Sequence, residues 1–472
     1  MAVQLATVNI VFGDAFTARP SLQRGIFIAR HNYFSERYRE YTSLNAVAQD
    51  VPTTSSVYIA AQGHFAQDPA LDVFGVGRFE TTSIITPVDA VEGKSYGLTL
   101  AAKDATATLT IDYTALLADT QEEIVDAFIA AIAADTDIAA KVTATKVGVG
   151  ADAVLELSHA VANDWFVVSD LVSVTESFPA TPEGMAADEL VAITQENDNW
   201  YYVTTDVKDG TYVEALATDL AARFNFYAVS LAESSAYSAT PDTGTLGTLI
   251  NEAYLNVYPI YHNEAETTYP EVAVMSEAFA VIDTGITLAN RNVIGVTSSL
   301  QTDGNKLTDT QIANLQSNGI NFFNPPKISG STTAQQLNSA VSTGRNGGGR
   351  VCSGEYAFNV IGKDALTIEI EANITDLLIS QKTGRLSWTQ EDLDKAYGMI
   401  DKALIKFADE DGWNLIYKKS DIDFPYVISR RTPRDFSAAQ RQLGVLDNMT
   451  FTAYLTDAIH LVDVTGNLVR PQ

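Results

Sequence analysis

The apolar pattern of an α/β sheet begins near residue 25, breaks off after residue 79 and resumes near residue 200, so this chain must fold around a long segment inserted into one of its own domains. Gly25, Ile26, Phe27, Ile28 and Ala29 read as a buried strand. Residues 58–65 read as a helix, and residues 72–79, with Val73, Phe74, Val76 and Phe79, as a second buried strand. The same alternation returns in residues 200–205, a helical stretch over 212–224 and an apolar run at 226–230. Strand, helix and strand in this order predict an α/β domain with a covered sheet.

The interrupting segment, residues 81–178, has a different grammar. Short strands are expected at 95–100, 107–111, 142–145, 153–157 and 165–168. One helix breaks them, from Thr120 to Ala134, where Thr120 and Glu123 stand at capping-box spacing before an apolar face of Ile124, Phe128, Ile129 and Ile132. Between Glu80 and Asp198 the only Lys or Arg residues are Lys94, Lys103, Lys141 and Lys146, set among many carboxylates. A compact, acidic, solvent-facing α+β module follows from this pattern, with Pro179, Pro182 and Gly184 marking a return linker.

Beyond residue 190 apolar strands are expected at 273–275, 292–296 and 319–323, alternating with helices. Thr308 and Gln311 form another capping-box pair, and Asn318 with Gly319 ends that helix. A glycine-rich tract at 344–350 leads to a strand at Val351, then to long helices over 364–381 and 389–409, the second capped by Thr389 with Asp392 in its first turn. Strands are expected at 413–418 and, as a hairpin, at 449–455 and 458–464. The fold class is therefore α/β and α+β multidomain: an arm (1–20), a discontinuous core (21–80 and 190–345), the inserted β-rich module (81–178), a C-terminal α+β domain (346–448) and C-terminal strands (449–472).

The chemistry of turnover is missing. Gly347, Gly348 and Gly349 before Arg350, and Gly75 and Gly77 before Arg78, lack the lysine and spacing of a phosphate loop. No Gly-x-Ser-x-Gly elbow and no His-Glu-x-x-His pair occurs. The single Cys352 reads as a buried thiol, and the five histidines have no metal-ligand spacing. Asp409, Glu410, Asp411 and Gly412 read as an acidic helix end rather than a calcium loop. Asn373 and Asn448 match a glycosylation acceptor by accident, and His460 reads as an interface residue. Trp200, Tyr201, Tyr202, Phe322 and Phe323 read as core strands, with too few cations nearby to stack nucleic acid. No catalytic residue, metal or cofactor is expected.

With 472 residues, 46% hydrophobic and 19% charged, the chain has material for several globular cores. A formal charge of −29 opposes direct contact with nucleic acid. No signal peptide and no membrane-crossing run is expected, hence no stable membrane insertion.

Both ends of the chain read as strands without obvious partners. Val3, Leu5, Val8 and Ile10 alternate with polar residues, as do Ile459, Leu461 and Val464. Terminal strands of this kind are candidates for donation to another subunit's sheet. Near the C-terminus Lys418, Lys419, Arg430, Arg431, Arg434 and Arg441 concentrate positive charge on a short stretch, which could attract what the acidic middle repels.

Several segments in order resemble the contractile-tail sheath proteins of myophages. They are residues 60–67 leading to Val76, Gly77 and Arg78; Asn199 through Tyr202; Gly354, Glu355 and Tyr356; the helix carrying Leu377 and Leu378; the helix from Thr389; and Arg441, Leu443, Gly444 and Leu446 through Ile459 and His460. The resemblance covers most of the chain except the acidic insert. It implies a homo-oligomer of stacked hexameric rings, a helical polymer around a tail tube protein, with baseplate and tail terminator proteins as further partners. It also implies location in a phage tail assembled in the host cytoplasm, and exchange of the terminal strands between subunits. Arg430, Arg431, Arg434 and Arg441 are then expected at the tube or at a neighbouring subunit, and the insert on the outside. The competing readings are a carbohydrate-active or receptor-binding surface protein, and another tail or baseplate component.

Overall fold

The computed structural model describes residues 5–6, 21–34, 36–102, 106–160, 166–238, 240–282, 287–289, 291–299, 307–323, 339–340, 349–379, 386–409, 412–443, 446 and 449–456. At its centre lies a seven-stranded sheet in the order Asn321–Phe322, Val257–Tyr261, Phe226–Leu231, Tyr202–Thr205, Gly25–Arg30, Phe74–Phe79, Tyr38–Tyr41. All neighbours run parallel except the last pair. The chain starts in the middle at Gly25–Arg30, steps to Phe74–Phe79, and returns to the other side at Tyr202–Thr205. The insert occupies the connection that makes this reversal.

Side chains alternate across the sheet with the period of a strand. Phe27 and Ala29 face a layer holding Val47, Val57 and Val272, whereas Ile26 and Ile28 face Leu190, Val213, Leu216 and Leu220. Helices Leu44–Asp50, Ser56–Phe65 and Pro270–Ala280 cover the first face; Ala186–Glu196, Gly210–Ala221 and Thr245–Asn251 cover the second. Gly25 is required where it stands, because a Cβ there would lie 1.9 Å from the Tyr202 ring.

The insert has its own core, built from Ile85, Leu98, Leu100, Phe128, Leu155 and Phe166 among others. Two antiparallel sheets form it: Val174–Ser177, Ser83–Pro87, Val154–His159, Val142–Val147, and Phe166–Val172, Ser95–Ala102, Thr108–Thr114. Helix Gln121–Ala134 is closed by the expected capping box of Thr120 and Glu123. Asn32 of the core donates to Thr81 O and Ser83 Oγ, and Arg30 donates to Pro179 O, so both crossings of the chain are held to the sheet.

Helices Ala357–Ile379 and Gln390–Phe407 share one continuous hydrophobic cluster with the sheet face that carries Tyr202, Phe226 and Tyr258. Thr389 caps the second helix as expected, and Thr308 with Gln311 boxes the start of Asp309–Asn318, which Gly319 ends at φ 77°.

Some elements differ from the sequence reading. Residues 273–275 lie inside helix Pro270–Ala280, whose side chains are buried nearly all round. A helix without a polar face has no helical periodicity to read. Of residues 292–296 only Asn292 belongs to a strand, the two-residue Arg291–Asn292, and Val351 follows a single bridge between Arg350 and Tyr356. Residues 413–418 contribute one bridge, Ile416 to Leu455. The return linker runs directly into helix Ala186–Glu196, and the first C-terminal helix begins at Ala357, ahead of residue 364.

Candidate interaction site at the C-terminal sheet

Helix Gln390–Phe407 presents Leu393, Ala396, Tyr397, Ile400, Ala403, Leu404 and Phe407 at three- and four-residue spacing, and this stripe is its buried face. On it rests a small antiparallel sheet in the order Leu5–Ala6, Thr450–Tyr454, Tyr426–Ser429. Phe451 and Ala453 are buried, and the Tyr426 hydroxyl donates to Asp401 at 3.0 Å. Burial and that hydrogen bond push the Tyr426 phenol up to about 12.

The geometry leaves one edge of this sheet open. Tyr454 N–H donates to Pro425 O at 2.9 Å, and strand registration pairs Val427 with Thr452 and Ser429 with Thr450. Alternation in an antiparallel ladder then turns the N–H and C=O groups of Tyr426 and Ile428 away from Thr450–Tyr454. Among the described residues no strand lies on that side. Pro425 at the start fits an edge position, where a missing N–H costs no ladder bond. Val427 is 52% exposed and Phe424 71% exposed. Beside them lies a groove of about 530 Å³ with apolar walls from Ile405, Phe424 and Tyr426 and a charged rim of Lys418, Lys419 and Asp423. An open edge beside an apolar groove can accept an extended segment through backbone hydrogen bonds, with the groove receiving alternate side chains.

Of the expected strand-exchange residues, Leu5 is on the sheet: it pairs with Tyr454, and Ala6 with Ala453. Val3, Val8, Ile10, Ile459, Leu461 and Val464, with His460 and Asn448, lie outside the described residues. Thr450–Tyr454 therefore has Tyr426–Ser429 and Leu5–Ala6 as its described partners. The expected hairpin with 458–464 falls outside the described residues.

Arg430, Arg431, Arg434 and Arg441 are brought together just beyond the open strand, around a small cluster of Leu393, Tyr397 and Phe436. Arg430 stands 3.8 Å from Asp394, and Arg431 lies 4.0 Å over the Phe436 ring while its N–H donates to the Tyr397 hydroxyl. Arg441 donates to Pro433 O, and its own carbonyl accepts the Trp388 indole N–H. Arg434 is exposed. The strand Tyr426–Ser429 itself escaped the sequence reading, although Pro425 followed by alternating exposed and half-buried residues was a usable signal.

Elsewhere the weaker motifs resolve structurally. Cys352 is buried, and burial pushes its thiol up. Asn373 is a buried helical residue whose carbonyl accepts from Lys402, which leaves no room for a glycan. Trp200, Tyr201, Tyr202, Phe322 and Phe323 are core residues. Among the described residues no group of three or more His, Cys, Asp or Glu is placed to hold a metal ion, and no helix is long and apolar enough to cross a membrane.

The architecture resembles that of a contractile sheath protein. The chain is similar to the helical sheath of the anti-feeding prophage, seen by cryo-electron microscopy in its contracted state: the likeness covers 99% of this chain and 95% of that chain, with a TM-score of 0.50 and 12% sequence identity. No protein-family model matches the sequence, and no curated protein matches it. The resemblance to contractile-tail sheath proteins thus holds in the fold at an identity where little of the sequence is shared.

Proposed function

We propose that this protein is the structural subunit of a bacteriophage contractile tail sheath. It polymerises as stacked hexameric rings around a tail tube, and the polymer shortens to drive the tube through the host envelope. Baseplate and terminator proteins bound its ends, and no turnover chemistry is involved. The observation that carries this reading is the open edge at Tyr426–Ser429, backed by a sheet that already uses the chain's own first strand, Leu5–Ala6. A ladder of directional hydrogen bonds can hold two subunits together through an added strand.

In this reading Val3, Leu5, Val8 and Ile10, with Ile459, Leu461 and Val464, supply the exchanged strands. Arg430, Arg431, Arg434 and Arg441 face the tube or an acidic neighbour. The insert projects outward. Its independent core and acidic surface support that placement, since like charges tolerate close packing poorly.

Electron microscopy of the purified protein at high concentration, alone and with its tube protein, tests the proposal. Hollow striated cylinders are expected. Monomers under both conditions would overturn it.

A further inference from the structure

Given the sheath assembly proposed for this chain, on which this inference rests, we propose that the free subunit caps itself. Its first strand fills the sheet edge that a second copy's first strand fills in the polymer, so assembly requires that strand to change partners.

Thr450–Tyr454 is the middle strand of the C-terminal sheet, with Tyr426–Ser429 on one side and Leu5–Ala6 on the other. The Tyr454 N–H donates to Pro425 O at 2.9 Å and its carbonyl accepts from the Tyr417 N–H at 3.0 Å, so both of its backbone groups turn toward the Tyr426–Ser429 side. Alternation along an antiparallel strand then turns the N–H and C=O groups of Phe451 and Ala453 the other way. Ala453 stands opposite Ala6, and Tyr454 opposite Leu5. Ala453 is 1% exposed and Phe451 9%. Buried backbone groups left without partners are costly, so this second edge of Thr450–Tyr454 needs a strand on it.

In the single chain that strand is the chain's own. A backbone ladder reads direction and alternation, so the same segment of an identical copy makes the same bonds. Equal contacts leave the choice to the frequency with which each strand meets the edge. A tethered strand meets it as if present at an effective concentration on the order of millimolar, whereas the strands of free subunits arrive at their actual concentration. Dilute chains therefore stay closed, and subunits held together at a growing end exchange. Residues 7–20 join Ala6 to Ser21, whose N–H donates to Asn199 Oδ1 at 2.8 Å, so the receiving copy must bring its edge within about 50 Å of Ser21. Exchange passed in one direction makes every copy both donor and acceptor, and such a head-to-tail contact builds an open-ended polymer.

The test uses the full chain carrying Leu5→Cys/Tyr454→Cys, a directly opposed pair suited to a disulfide. Cys352 is buried and does not compete. Ala6→Cys/Ala453→Cys repeats the test at the neighbouring pair should the first variant fold poorly. Oxidised while dilute, each variant is expected to form an intrachain disulfide, read by a non-reducing denaturing gel and peptide mass spectrometry. Raised to the concentration at which the reduced variant polymerises, the locked form should sediment at least roughly tenfold less polymer, with recovery on adding reductant. Polymer assembled from reduced protein and then oxidised should carry interchain disulfides. Interchain disulfides in dilute protein, equal polymer from the locked chain, or only intrachain disulfides in oxidised polymer would overturn the self-capping and leave the assembly reading standing. No polymer in either form would remove the assembly reading and the self-capping with it.

Discussion

The Tyr201 hydroxyl, beside the central strand, donates a 2.6 Å hydrogen bond to Asp364 Oδ2 in helix Ala357–Ile379, joining the core sheet to the C-terminal helices across a shared hydrophobic cluster. Burial and the neighbouring carboxylate hold the phenol well above its ordinary range, so it stays a donor at any physiological pH. Tyr201→Phe should lower unfolding free energy by roughly 1.5–3 kcal/mol, the net worth of a hydrogen bond to a charged group. Urea titration measures it, and a change below a few tenths would show that the apolar cluster alone joins the two parts.

Lys208 Nζ stands 2.7 Å from Glu271 Oε1, with Glu271 fully buried and Ser230 bridging to its other oxygen. Lys208→Met leaves that carboxylate without its counter-charge and should cost about 3–5 kcal/mol, whereas Lys208→Met with Glu271→Leu should recover most of the loss. Denaturant unfolding of the single and double variants separates these outcomes.

Glu176 sits where the insert meets the core, accepting from Ser83 Oγ, and its second oxygen is buried without a partner. Burial raises its carboxyl to about 7, with Ser83 pulling the other way. The folded state therefore holds a proton that the unfolded chain releases near 4.5. Stability contributed by this group is complete below pH 4.5, falls as pH rises toward 7, and is flat above. The total fall is about 3 kcal/mol, from a rise of roughly two and a half pH units. Glu176→Gln should flatten the difference between pH 5 and pH 8 in urea unfolding; an unchanged slope would assign the pH dependence elsewhere.

Ile428→Pro removes an outward N–H and leaves the inward bonds to Thr450–Tyr454 in place. Polymer should be lost while the monomer stays folded, with about 1–3 kcal/mol of packing given up. Electron microscopy beside circular dichroism checks both halves, and normal cylinders from this variant would move subunit exchange to another edge.

Arg434→Glu with Arg441→Glu changes exposed side chains around the Phe436 cluster. Monomer stability should shift by no more than about 0.5 kcal/mol, while assembly requires more protein at low salt and regains normal behaviour near 1 M, where exposed charges are screened. Light scattering across a salt series reads the effect.

What could be read from the chain itself was local. The caps at Thr120, Thr308 and Thr389, the apolar strands Gly25–Arg30 and Phe226–Leu231, the buried Cys352 and the acidic interruption all follow from spacing over a few residues. Tertiary structure decided the rest. Residues 273–275 became helix because that segment is apolar on every side, and burial from all directions erases the period that separates helix from strand. The open edge exists because Thr450–Tyr454 chose Tyr426–Ser429 and Leu5–Ala6 as partners, a pairing set by packing on helix Gln390–Phe407. Strand pairing joins residues hundreds of positions apart, and no local pattern records which of them will meet.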